Sequence, residues 1–167
     1  MEQPSFLSSA IDRLAPFAHA DNLNDSAVHH RATLGWAYLE LGELDRAQAL
    51  TDRALSDAQQ TGTWLYGALA LRTRGLIAAR QGDYERAERA YAEGLERVRA
   101  MPFPYGEARL LHAYGLLERQ RGDQAAAEDK LARALAIFER LGAERDAEAL
   151  RGLIARSEPL GNASSPA

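Results

Sequence analysis

Apolar and small side chains recur at three- and four-residue intervals along most of the chain, the spacing that lines one face of an α-helix. Three stripes stand out. They are Leu44, Ala47, Thr51, Ala54, Leu55 and Ala58; Tyr84, Ala87, Tyr91, Gly94, Leu95 and Val98; and Ala127, Leu131, Ala134, Leu135, Phe138 and Leu141. Each follows a glycine (Gly42, Gly82 or Gly122) that ends a preceding helix by supplying a left-handed residue just past its C-terminus. The next residue is Glu43, Asp83 or Asp123; the two aspartates suit a helix N-cap and the glutamate is a poorer one. The first full helix is expected to start at the candidate caps Asp25 or Ser26 and to end at Leu41. Further breaks fall at Gly62, Pro102 and Gly142.

These landmarks repeat with an offset of 40 residues. Gly35, Gly75 and Gly115 align, as do Gly42, Gly82 and Gly122, Ala47, Ala87 and Ala127, and Leu55, Leu95 and Leu135. A glycine inside a helix costs about 1 kcal/mol relative to alanine. Three in register at Gly35, Gly75 and Gly115 therefore imply a packing demand: two antiparallel helices crossing too closely for a larger side chain. The pattern predicts an all-α chain of helical hairpins, with repeats over 26–60, 64–100 and 104–141. A preceding helix over 5–19 has Phe6, Leu7, Ile11 and Leu14 on one face and Pro16 near its end. A shorter helix over 143–156 would cover the other end of the stack. Together they make one helical domain over 1–157, followed by a Pro/Ser/Gly-rich tail, 158–167, expected to be disordered.

Composition narrows the function. Apolar residues form 46% of the 167, enough for a core, and the net charge of −4 argues against nucleic acid as the partner. The cations are arginines apart from Lys130. There is no cysteine, which removes disulfides, thiolate metal sites and thiol nucleophiles. The N-terminal MEQPSFLSSAIDRLAP does not read as a secretion signal, and no apolar run reaches the roughly 20 residues of a membrane span. The expected location is the cytoplasm, with no membrane partner. Asn162-Ala163-Ser164 matches a glycosylation acceptor but lacks that secretory context.

Chemistry-bearing constellations are missing. The glycines follow the repeat and form no phosphate-cradling loop. Among the four histidines, His19, His29, His30 and His112, the adjacent pair His29 and His30 points about 100° apart on a helix and cannot share a metal. Carboxylates such as Glu85, Glu88, Asp129 and Glu144 sit among arginines at the spacing of a solvated, ion-paired face. The chain is read as a non-enzyme without cofactor or metal.

A glycine in the first helix, a glycine at the turn and an alanine in the second helix resemble the tetratricopeptide repeat pattern, over about Ser26 to Gly142. The period exceeds that family's usual 34 residues. The bulky position two turns before the turn glycine is inconsistent: Leu34, Arg74, Tyr114. The long period also looks like the C-terminal sensor arrays of LuxR-type and MalT-like bacterial regulators. The resemblance implies a right-handed αα superhelix whose first helices line a concave groove that binds a partner. Carried onto this sequence, the inward residues are His29, Ala32, Trp36, Leu39 and Glu40; Leu69, Arg72, Leu76, Ala79 and Arg80; and Arg109, His112, Leu116, Arg119 and Gln120. Trp36, Leu76 and Leu116 would form an apolar row, and Arg72, Arg80, Arg109 and Arg119 a basic cluster. That pairing suits a protein or peptide with an acidic or C-terminal carboxylate feature. Equally, the three apolar residues could be partly core and the arginines paired with nearby glutamates. The carboxylate clamp of chaperone-binding relatives is not reproduced, since Leu76 and Ala113 occupy sites where polar residues are needed. The leading expectation is a protein- or peptide-binding scaffold. The alternatives are a ligand- or peptide-sensing domain of a transcriptional regulator or signalling ATPase, and a self-associating structural module forming homo-oligomers.

Overall fold

The computed structural model describes residues 3–18 and 23–156. His19, the tail at 158–167 with Asn162, and the side chain of Phe6 lie outside the described residues. Eight helices follow one another: α1 (Gln3–Ala18), α2 (Asp25–Glu40), α3 (Leu44–Thr61), α4 (Trp64–Arg80), α5 (Tyr84–Arg99), α6 (Pro104–Arg121), α7 (Gln124–Arg140) and α8 (Glu144–Ala155). Among the described residues there is no strand. Helices α2 and α3, α4 and α5, and α6 and α7 pair as hairpins. α1 packs on α2 at one end and α8 on α7 at the other.

The hairpin turns are short because two residues do two jobs. Gly42, Gly82 and Gly122 adopt φ of 80°, 78° and 85°, where a side chain would be strained. The next residue's amide then reaches back to a carbonyl five positions earlier: Glu43 to Tyr38 at 2.9 Å, Asp83 to Ala78 at 2.9 Å, Asp123 to Glu118 at 3.0 Å. That bond closes the finished helix. Asp83 and Asp123 then cap the new one, accepting from the amides of Arg86 and Ala126 at 3.0 Å. Glu43 makes no side-chain cap bond. At the start of α2 the cap is Asn24, one residue before the expected Asp25; it accepts from the Ala27 amide at 2.9 Å. Asp25 instead accepts a hydrogen bond from the Thr63 hydroxyl, tying α2 to the turn before α4. Pro16 lies inside α1, which runs two residues beyond it.

Within each hairpin the backbones meet at the in-register glycine. A methyl on Gly35 would lie 2.7 Å from the Thr51 hydroxyl and 3.4 Å from the Ala47 carbonyl. On Gly115 it would lie 2.8 Å from Leu131 and 3.3 Å from the Ala127 carbonyl, and on Gly75 it would enter the Tyr91 ring. Positions 51, 91 and 131 are themselves 40 residues apart, so the second helix repeats its half of the crossing too. Ala47, Ala87 and Ala127 are buried as expected.

The two helices of a hairpin differ in character. α2 packs on α4 and α4 on α6, while α3, α5 and α7 make no comparable contact with one another. The first helices thus form the inner row, flanked on nearly every side; α2 alone buries Ala27, Val28, Ala32, Leu34, Ala37 and Leu39. The second helices bury a single stripe and turn a charged face outward. One buried ion pair went unread in the sequence. Arg31, 1% exposed, pairs with Asp57 of α3 and donates from Nε to the Ala18 carbonyl at 2.8 Å, joining three helices.

Gly75→Ala gains about 1 kcal/mol of helix propensity, but a methyl in the buried Tyr91 ring costs about 1–3 kcal/mol, so a net loss is expected in urea unfolding. Gly152→Ala meets only the end of the Arg156 side chain at 3.4 Å and should not destabilise; equal effects at the two sites would contradict the crossing. Asp57→Ala removes the carboxylate paired with the buried Arg31 and is expected to cost about 3–5 kcal/mol by the same measurement.

Candidate ligand groove

The exposed edges of α2, α4 and α6 lie side by side on the inner face, and between them is a recess of about 350 Å³. α2 contributes His29 and Trp36; α4 contributes Leu65, Tyr66, Leu69 and Arg72; α6 and the residue before it contribute Phe103, Tyr105, Arg109 and Leu110. His29 stacks on Tyr66 with ring centres 4.4 Å apart. Gly106 has no side chain because the Phe103 ring occupies that space, folding back over the start of α6. The walls are mostly apolar and aromatic.

Two cations line this recess, and they differ. Arg109 donates to Asp146 of α8 at 3.4 Å and to the Tyr105 hydroxyl at 3.3 Å, and Tyr105 in turn donates to Asp146 at 3.1 Å. Its charge is matched. Arg72 has no such partner: its Nε and Nη1 are buried without a protein acceptor, and no described carboxylate pairs with it. Burial first, then the nearby Arg109 charge, lower its pKa to about 10, so it stays cationic at neutral pH. One turn behind Arg109, His112 also has a buried, unbonded Nε2. Its pKa falls to about 4, chiefly through burial, then through Arg72 and Arg109, with Asp146 opposing and Arg119 adding to the decrease. His29 is also lowered, by burial and by His30.

Of the residues expected on the inward face, the recess gathers His29, Trp36, Leu69, Arg72 and Arg109. Leu116 and Arg119 are half-buried on α6. Leu76 is half-buried against two core clusters. Leu39 does not belong: it is fully buried, in the core cluster beside α1. Arg80 and Glu40 form a strap at one end of the inner row, 3.4 Å apart, and Arg80 also donates to the Leu39 carbonyl. That contact places a cation at the C-terminal end of α2, where the helix dipole favours it. Tyr66, Leu65, Tyr105, Phe103 and Leu110 were not singled out beforehand. Continuing the inward stripe one turn towards the helix N-termini reaches Tyr66 and Tyr105; Phe103 precedes its helix and carries no periodic signal.

Among the described residues, no group of histidines and carboxylates is placed to hold a metal, and no helix is long and apolar enough to cross a membrane. Residues 68–140 match the family model for the tetratricopeptide repeat. That segment runs from α4 through α7, and the same 40-residue frame continues upstream through α2 and α3, so the described residues form one helical repeat of which the α4–α7 part matches that family. Its structure is similar to that of BtubC (BKLC) from P. vanneervenii, with a TM-score of 0.60 and 18% identity, over 99% of this chain and 78% of that one. At that identity the likeness is one of fold. No curated protein matches the sequence.

The unfolded chain protonates His112 near its ordinary 6.5, whereas the folded chain resists down to about 4. Stability is therefore undiminished above 6.5 and falls as the pH drops through that window, by about 2–3 kcal/mol. Denaturant unfolding at pH 7.5 and pH 4.5 should show a smaller acid loss in His112→Gln than in the parent. Identical losses would contradict the assignment.

Proposed function

We propose that the chain is a non-catalytic scaffold whose inner face, built by α2, α4 and α6, binds a segment of a partner protein. Tetratricopeptide repeats generally mediate protein–protein interaction. The observation that carries the reading is the asymmetry between the two faces. Inside, Trp36, Leu76 and Leu116 recur at 40-residue intervals, each half-buried, beside aromatic rings and the unmatched Arg72. Outside, arginines pair with carboxylates, either along one helix, as in Arg89 with Glu85, Arg97 with Glu93 and Arg133 with Asp129, or across to the next, as in Arg121 with Glu88. Aromatic and arginine side chains at a partly dehydrated centre are what binding hot spots are made of. Arg72 favours a partner with an acidic group.

One observation favours a second reading, a ligand-sensing array of the kind found in long-period bacterial regulators: the recess around Arg72 is concave and apolar enough for a small molecule.

The test is a partner identified by affinity capture and then measured with purified protein. Trp36→Ala with Leu116→Ala is expected to weaken binding at least tenfold while helicity is kept. Arg89→Glu with Arg133→Glu, on the outer face, should leave it unchanged. The reverse pattern would place the binding surface on α5 and α7 and sink the reading.

A further inference from the structure

We propose that the recess between α2, α4 and α6 is a specific site for a small organic monocarboxylate with an aromatic or branched apolar body. Its carboxylate would meet the Arg72 guanidinium and its body the walls formed by Trp36, Tyr66, Leu69 and Phe103. This goes beyond the scaffold reading and needs no protein partner.

Charge sets the head group. Arg109 is matched by Asp146, and Glu40, the other nearby acid, is engaged with Arg80. Arg72 alone is left over, so the recess has one uncompensated positive charge and accommodates a monoanion. A dianion would face a single free cation, with Glu40 and Asp146 close by. Buried donors without acceptors are costly, more so on a charged group. A carboxylate on the Nε–Nη2 edge of Arg72 would satisfy the orphan Nε in the planar geometry that a guanidinium recognises best. The ligand thus removes a penalty that the empty site carries.

Shape sets the body. A volume of about 350 Å³ lies at the low end of the roughly 300–1,000 Å³ of ligand cavities, room for a ring and a short chain. The walls offer flat faces to an apolar guest: the stacked His29 and Tyr66, and Phe103 held in place by the missing side chain of Gly106. Neutral His112 behind Arg109 adds no further positive charge at pH 7.

The experiment is calorimetric titration of the full chain at pH 7.5 with 4-phenylbutyrate, its neutral amide, acetate, and an acetylated tripeptide ending in phenylalanine with a free carboxylate. Saturable one-to-one binding of 4-phenylbutyrate, at least tenfold tighter than its amide and than acetate, is expected. Arg72→Met should abolish the preference for acid over amide, and Arg133→Met on α7 should preserve it. Equal binding of acid and amide by the parent protein overturns the proposal even if Arg72→Met does not fold, as does no saturable binding. A tripeptide binding more than tenfold tighter than 4-phenylbutyrate would overturn the small-molecule assignment.

Discussion

At three crossings spaced 40 residues apart, the first helix of each hairpin meets a side chain of the second with no methyl group between them. Thr51, Tyr91 and Leu131 fill the space that a side chain at Gly35, Gly75 and Gly115 would need. Interiors are packed closely enough that one methyl group is felt. This contact fixes how near the helices of a hairpin lie, and because it recurs in register, each hairpin presents the same shape to the next. The inner row of α2, α4 and α6 follows from that regularity.

Placing the first helices in an inner row has an electrostatic consequence. Their side chains have few routes to water, so a cation there needs a partner or sits desolvated. Three arginines meet this in three ways. Arg31 is paired with Asp57 in the core, Arg109 is shared with Tyr105 and Asp146, and Arg72 has buried donors left unmatched. A repeat that reuses one backbone frame thus carries very different local chemistry from hairpin to hairpin. The groove's character comes from these differences and not from the repeated positions.

Much of the fold was legible beforehand. The turn glycines, the capping aspartates and the close crossings announce themselves through residues whose roles are local or periodic. The inward stripe named His29, Trp36, Arg72 and Arg109, which line one recess. It failed at Leu39, because α2 is covered on one side by α1, so an inward-facing position near its end becomes core. It stopped short of Tyr66 and Tyr105 because the recess is centred nearer the helix N-termini than the crossing glycines are. Phe103 lies outside any helical period.

By itself the sequence determined the helices, most of their ends and their pairing into hairpins. Those features depend on backbone conformation and on spacings of a few residues, repeated three times. Only the tertiary structure decided which of the inward cations are neutralised. Arg109 finds Asp146, and Arg80 finds the end of α2, through contacts 37 and 41 residues apart in the chain. Coulomb and hydrogen-bond energies depend on distance and burial in space, and no periodicity along the chain encodes those.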